Sequence, residues 1–250
     1  MSKYVVVSSW LDTPHVSQEA AAAMLASYLP HERDARTKGI PSLGAGAIYP
    51  VPESDFVCEP FKLPPWYEFC YAMDVGWRRT AALWAARDPE TDIVYLWSEH
   101  YQGEEKPAIH AQAIRARGQW IPGVIDPTAR GRQQGDGEKL METYTDLGLE
   151  LTRADNAVSA GIYEVWTRLS SGRLKVFNTL QNFLMEVRIY RRDEKGAIVK
   201  ENDHLMDCVK YLCLSGLDKA IQTPVSLVAG KKVRHTSEYS PMGEFYNVQK

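Results

Sequence analysis

The chain has 250 residues, 44% of them hydrophobic, 10% aromatic and 24% charged, with a formal net charge of −3. This composition is that of a globular protein with a sizeable core, and the weak negative charge excludes a surface that attracts nucleic acid from every side. With no N-terminal signal, no apolar run of about eighteen residues and four cysteines (58, 70, 208, 213) lacking metal-ligand spacing, the sequence predicts a reduced, cytoplasmic protein off the membrane.

Residues 1–60 differ from the rest. Tyr4-Val5-Val6-Val7-Ser8 reads as a short buried strand, Ser17 caps a helix through 19–28, and a second helix over 31–38 ends at Gly39. The Gly- and Pro-rich stretch 40–47 follows, and the segment is too short to bury a core of its own, so 1–60 reads as a linker. From Trp66 the pattern becomes strand and helix in alternation. Strands near 69–75, 80–87 and 92–98 form an antiparallel meander, with Asp88-Pro89-Glu90-Thr91 turning between the second and third. Pro107 opens a helix to 116, and the short strand Val124-Ile125 ends on Asp126-Pro127. A polar loop over 131–137, a helix over 138–146 stopped by Gly148, and a fifth strand over 149–152 come next. Asn156 caps a helix in which Ile162, Val165, Trp166 and Leu169 recur at helical spacing. Beyond Gly172, 174–177 is a short strand or extended segment, and 180–187 is a helix. The segments 189–192 and 197–200 flank Asp193-Glu194-Lys195-Gly196, a hairpin signal. Asp203 begins a last helix with Leu205, Val209 and Leu212 on its buried stripe, and the polar tail after Thr223 has little reason to pack.

The first strand, Tyr71-Ala72-Met73-Asp74-Val75, carries an aspartate in apolar surroundings, where an ionised carboxylate is costly unless something pairs with it. Two other apolar runs end similarly, at Asp126 and over 203–207. A mixed five-stranded sheet flanked by helices lets the first and fourth strands lie side by side, bringing Asp74 near Asp126. Asp203 and Asp207, four apart, share a helical face. Converging carboxylates repel unless protonated or bridged by a cation, and magnesium takes a few carboxylates plus waters and phosphate oxygens. Two such ions about 3.5 to 4 Å apart hold the attacking and leaving oxygens of phosphodiester hydrolysis. Blander readings stand beside this one. Asp74 accepts hydrogen bonds from Arg78 or the Gly76 turn, Asp126 starts a turn, Asp203 caps a helix, and Asp207 pairs with Lys210 or Lys200. His110 and His204 read as packed or solvent-exposed rather than catalytic. Arg78 and Arg79, Arg130 and Arg132, and Arg188, Arg191, Arg192, Lys195 and Lys200 lie close in sequence to the acids. They form either a basic rim for a phosphodiester or ordinary solvated faces. Neither a Gly-x-Ser-x-Gly elbow nor a phosphate-binding Gly-x-x-x-x-Gly-Lys-Ser/Thr loop is present.

Four segments carry a resemblance: Asp126-Pro127-Thr128-Ala129-Arg130-Gly131-Arg132 with Gly135-Asp136-Gly137, Ser171-Gly172-Arg173-Leu174-Lys175-Val176-Phe177, Tyr190-Arg191-Arg192-Asp193-Glu194-Lys195-Gly196, and Asn202-Asp203-His204-Leu205-Met206-Asp207. Over about 66–216 the chain resembles the C-terminal nuclease domain of bacteriophage terminase large subunits. Residues 8–56, with Trp10-Leu11-Asp12-Thr13-Pro14-His15 and Arg36-Thr37-Lys38-Gly39-Ile40-Pro41, are similar to the segment that follows the ATPase domain there. The resemblance implies an α/β, ribonuclease H-like (retroviral integrase-like) fold over 61–223, after the linker 1–60 and before a tail, 224–250. It also implies a divalent-metal-dependent endodeoxyribonuclease, using Mg2+ or Mn2+ in a two-metal site to cut concatemeric viral DNA in the host cytoplasm. Asp74, Asp126 and Asp207 match the family's metal ligands, with Asp203 an accessory catalytic residue. Arg191, Arg192, Lys195, Lys200, Arg130 and Arg132 are the expected DNA contacts. Double-stranded DNA, the ATPase domain, the small subunit and the portal are the implied partners. Cys208 and Lys210 stand where small apolar and Arg residues are more usual, and the motor is missing, so a fragment or a split gene product is expected. The alternatives are a non-catalytic DNA-binding or docking module of the packaging motor and, more weakly, a ribonuclease H-like nuclease of repair or recombination.

Overall fold

The structure, a computed structural model, describes residue 17 and residues 46–126, 136–193 and 195–229, with backbone alone at 136–138 and 228–229. The elements expected before residue 46, together with Arg130 and Arg132, lie outside the described residues, as does the tail from 230.

The fold is built on an antiparallel meander of β2 (Glu68–Asp74), β3 (Thr80–Arg87) and β4 (Val94–Gln102), as the alternation of apolar runs and turns predicts. Short β5 (Gly123–Ile125) joins β2 in parallel, with Tyr71 opposite Gly123 and Met73 opposite Ile125, and β6 (Leu151–Arg153) pairs parallel with β5. Gly123 is required at that approach, because a Cβ there would lie 2.2 Å from Cζ of the Tyr71 ring. The first and fourth of the expected strands lie side by side as anticipated, but among the described residues the sheet has eight strands rather than five. The parallel strand β7 (Leu174–Phe177) extends it beyond β4, β1 (Val57–Cys58) lies beyond β7, and β8 (Ile221–Gln222) pairs with the start of β2. The two-residue strands β1 and β8 carry too few side chains for alternation to register, and β7, read from sequence as a short strand or extended segment, has no predicted place in the sheet. The hairpin signal over 189–200 corresponds to a single bridge, Arg192 with Ile198.

Both faces of the sheet are covered, which is why β2 and β3 are apolar between their end residues rather than alternating. Phe69, Tyr71, Met73 and Trp84 pack on one side with Ile114 of α2 (Pro107–Arg115) and Tyr144 of α3 (Asp136–Asp146). Cys70, Ala72, Leu83 and Leu96 face the other side, covered by α4 (Val158–Ser170), α5 (Gln181–Ile189) and α6 (His204–Tyr211). There Val165, Leu184, Leu205 and Val209 are buried, so the expected stripe of the last helix faces the sheet. The segment 46–60, read from sequence as linker, contains the short helix α1 (Glu53–Phe56) and β1 and contributes Ile48, Tyr49 and Phe56 to the core. After Thr223, Val225–Ala229 forms a short helix with Val225 and Leu227 exposed. Among the described residues no helix is long and apolar enough to cross a membrane.

Candidate active site

The C-terminal ends of β2 and β5 and the start of α6 open on one cleft of about 570 Å³, and Asp74, Asp126, Asp203 and Asp207 all line it. Asp74 is the last residue of β2, paired across the meander with Ala81. Asp126 follows β5 directly; its N–H donates to the Met73 carbonyl at 3.2 Å, so the strand pairing that begins at Tyr71 carries the two aspartates to adjacent strand ends. Asp203 and Asp207 sit one helical turn apart, the Asp207 N–H donating to the Asp203 carbonyl at 2.8 Å.

The carboxylates are held by neighbours. Oδ2 of Asp74 lies 2.7 Å from Nδ1 of His204. Burial lifts the Asp74 carboxyl above its ordinary range, His204 pulls it down, and the charges of Asp207 and Asp126 lift it again. The same hydrogen bond holds the His204 imidazole above its ordinary pKa, against the effect of burial. From the sequence His204 reads as packed or solvent-exposed rather than catalytic, yet it lines the cleft within hydrogen-bond reach of Asp74.

Asp207 is held by Lys210, whose amino group pairs with Oδ1 and lies 3.3 Å from the Tyr190 hydroxyl, with 3% of the lysine side chain exposed. Gly161 on α4 leaves room for that lysine, since a Cβ there would come within 2.9 Å of Lys210 Cβ. Lys200 reaches Asp203 Oδ2 at 3.2 Å and Asp207 Oδ2 at 3.9 Å. Of the basic residues expected to meet DNA, Lys200 lines the cleft, whereas Arg191, Arg192 and Lys195 do not; Arg78 and Arg79 do. Asp203 occupies the N-cap position of α6, yet its side chain makes no capping bond. That role falls to Glu186 on α5, whose Oε2 accepts the N–H groups of Leu205 at 2.7 Å and Met206 at 3.3 Å. Burial pushes the Glu186 carboxyl up to about 7. Nothing in the spacing of the sequence marks Glu186, because it acts on a separate helix further along the chain.

A divalent cation suits this donor set, which offers hard carboxylate oxygens. The Tyr211 phenol, raised by burial, is raised further by Asp207, Asp126 and Asp74 together, so the three acids act on one small region. Among the described residues, however, no three His, Cys, Asp or Glu side chains form a ready-made ligand cluster. Lys210, Lys200 and His204 hold the carboxylates in its place.

The terminase RNaseH-like domain family matches residues 72–215. The large terminase subunits of Enterobacteria phage LP7 and Salmonella phage P22 are each 36% identical over 221 residues, 84% of this chain. The chain spans 46% and 44% of their lengths. The structure of the P22 large terminase nuclease domain superposes with a TM-score of 0.68 at 31% identity, covering 72% of this chain and 96% of that one. A large terminase from a thermophilic bacteriophage, in complex with ADP, shares the fold at a TM-score of 0.59 and 19% identity, covering 84% of this chain and 54% of that one. The sheet order, the flanking helices and these matches agree on a ribonuclease H-like fold, and the chain belongs to the terminase RNaseH-like domain family.

Proposed function

We propose that the chain is a divalent-metal-dependent endodeoxyribonuclease that cuts concatemeric double-stranded DNA during viral genome packaging. It would work beside an ATPase domain, a small subunit and a portal in the host cytoplasm. The observation that carries this reading is the meeting of four aspartates from three separate segments in one cleft that also presents Arg78, Arg79 and Lys200. Asp74, Asp126 and Asp207 would hold Mg2+ or Mn2+, with Asp203 supporting them. Bound there, the cations would activate water and neutralise charge on the phosphate under attack. The protein's own part is positional: β2 and β5 fix two carboxylates on a rigid sheet, and Glu186 fixes the start of the helix that bears the third. Arg78, Arg79 and Lys200 would attract the DNA backbone without reading sequence. His204 would keep Asp74 oriented.

Supercoiled plasmid incubated with EDTA, Mg2+ or Mn2+ tests this reading. Nicked and linear DNA should appear with either metal, not with EDTA, and Asp74→Asn, Asp126→Asn and Asp207→Asn should each abolish cutting. The seating of Lys210 on Asp207 favours a second reading, a DNA-binding module without catalysis. Binding of plasmid with no cutting under any condition would support it instead.

A further inference from the structure

The turn between β2 and β3 presents Trp77 with 70% of its surface exposed, on the wall of the acidic cleft beside Asp74, Arg78 and Arg79. The backbone beneath it is fixed. Glu104 N–H donates to the Trp77 carbonyl at 2.8 Å, and the Thr80 hydroxyl donates to the Gly76 carbonyl at 3.1 Å. The Arg79 guanidinium lies 4.4 Å from the centre of the Tyr101 ring. Gly103 lets the strands close in, since a Cβ there would stand 1.9 Å from the Arg78 carbonyl oxygen. The indole itself has no ring or hydrogen-bond partner among the described residues. Exposed Phe61, by contrast, packs edge-on against Tyr95 and Phe177.

A rigid turn that holds a bare indole beside cationic groups has the two components of a nucleic-acid contact: a stacking face for bases and charge for phosphates. In an intact duplex the base faces are covered by their neighbours, so a fixed aromatic ring gains most where a base step is already opened. We propose that Trp77 stacks on a base unstacked beside the phosphate to be cut, making locally opened duplex the preferred substrate. The inference rests on the nuclease reading for its cutting step, and on DNA binding alone for the rest.

The test compares the full chain with Trp77→Ala and Trp77→Phe on two fluorescein-labelled duplexes of one sequence, one fully paired and one with a central mismatch bubble. Anisotropy in EDTA reads binding, and strand cutting in Mn2+ reads the reaction. The parent should prefer the bubble in both. Trp77→Ala should lose about tenfold in bubble affinity and all of the preference, with an unchanged salt slope, while Trp77→Phe keeps most of both. Because the side chain is exposed, the melting temperature should not move. Parent-like binding by Trp77→Ala, or a parent without preference, overturns the inference and leaves Trp77 to a protein neighbour. A parent that binds with preference yet cuts neither duplex overturns the nuclease reading alone.

Discussion

Lys210 is a buried cation on a carboxylate proposed as a metal ligand, with 3% of its side chain exposed against 17% for Asp207. Removing one partner of such a pair leaves the other charge uncompensated. Lys210→Met, which keeps the stem's packing, should therefore cost about 3 kcal/mol in urea unfolding without metal, the low end for a buried pair because Asp207 retains some solvent contact. Mn2+ binding to the folded state should then raise the melting temperature of Lys210→Met more than that of the parent, since a cation replaces the missing ammonium. Equal shifts would show that Lys210 and the metal do not share Asp207. At this scale the sequence made the acids visible, because an aspartate ending an apolar run is conspicuous. It hid His204, whose role depends on Asp74, a residue 130 positions away.

Two helices on one face of the sheet are capped by carboxylates from other elements. Glu99 of β4 accepts the N–H groups of Asn182 at 3.0 Å and Phe183 at 2.9 Å at the start of α5, and Glu186 of α5 does the same for α6. The sheet thus positions α5, and α5 positions the helix bearing Asp207. Because burial raises the Glu186 pKa from 4.5 to about 7, the folded state holds this proton more tightly than the unfolded chain does. Its contribution to stability is full below about pH 4.5 and falls as the pH rises to about 7. Glu186→Gln, which cannot ionise, should gain on the parent by up to about 3 kcal/mol across that window, read by urea unfolding at pH 4.5 and 8. A difference independent of pH would contradict this. A second prediction concerns the β2–β5 seam: Gly123→Ala forces a Cβ to 2.2 Å from the Tyr71 ring and should lower the melting temperature by several degrees. An unchanged melting temperature would mean the seam adjusts freely. The main helices were legible from periodicity and stops, whereas these caps were not, since each joins separate segments of the chain.

Across the whole molecule, the central five strands were legible as apolar runs between turns or helices; the meander order of β2, β3 and β4 follows from short turns, whereas β5 and β6 are reached through connections that carry α2 and α3. Of the outer strands, 174–177 was legible as an extended segment but not as a member of the sheet, and the two-residue β1 and β8 have no pattern of their own, so their neighbours decide their pairing. The strand order delivers Asp74 and Asp126 to one end of the sheet, and packing of α6 across β2 and β3 delivers Asp207 to the same cleft. A crystal of the full chain soaked in Mn2+ and measured for anomalous scattering addresses that convergence most directly. Anomalous density among Asp74, Asp126 and Asp207, absent from an Asp74→Asn crystal, is the predicted result. A cleft without manganese, with Lys210 still seated on Asp207, would contradict the metal-dependent nuclease.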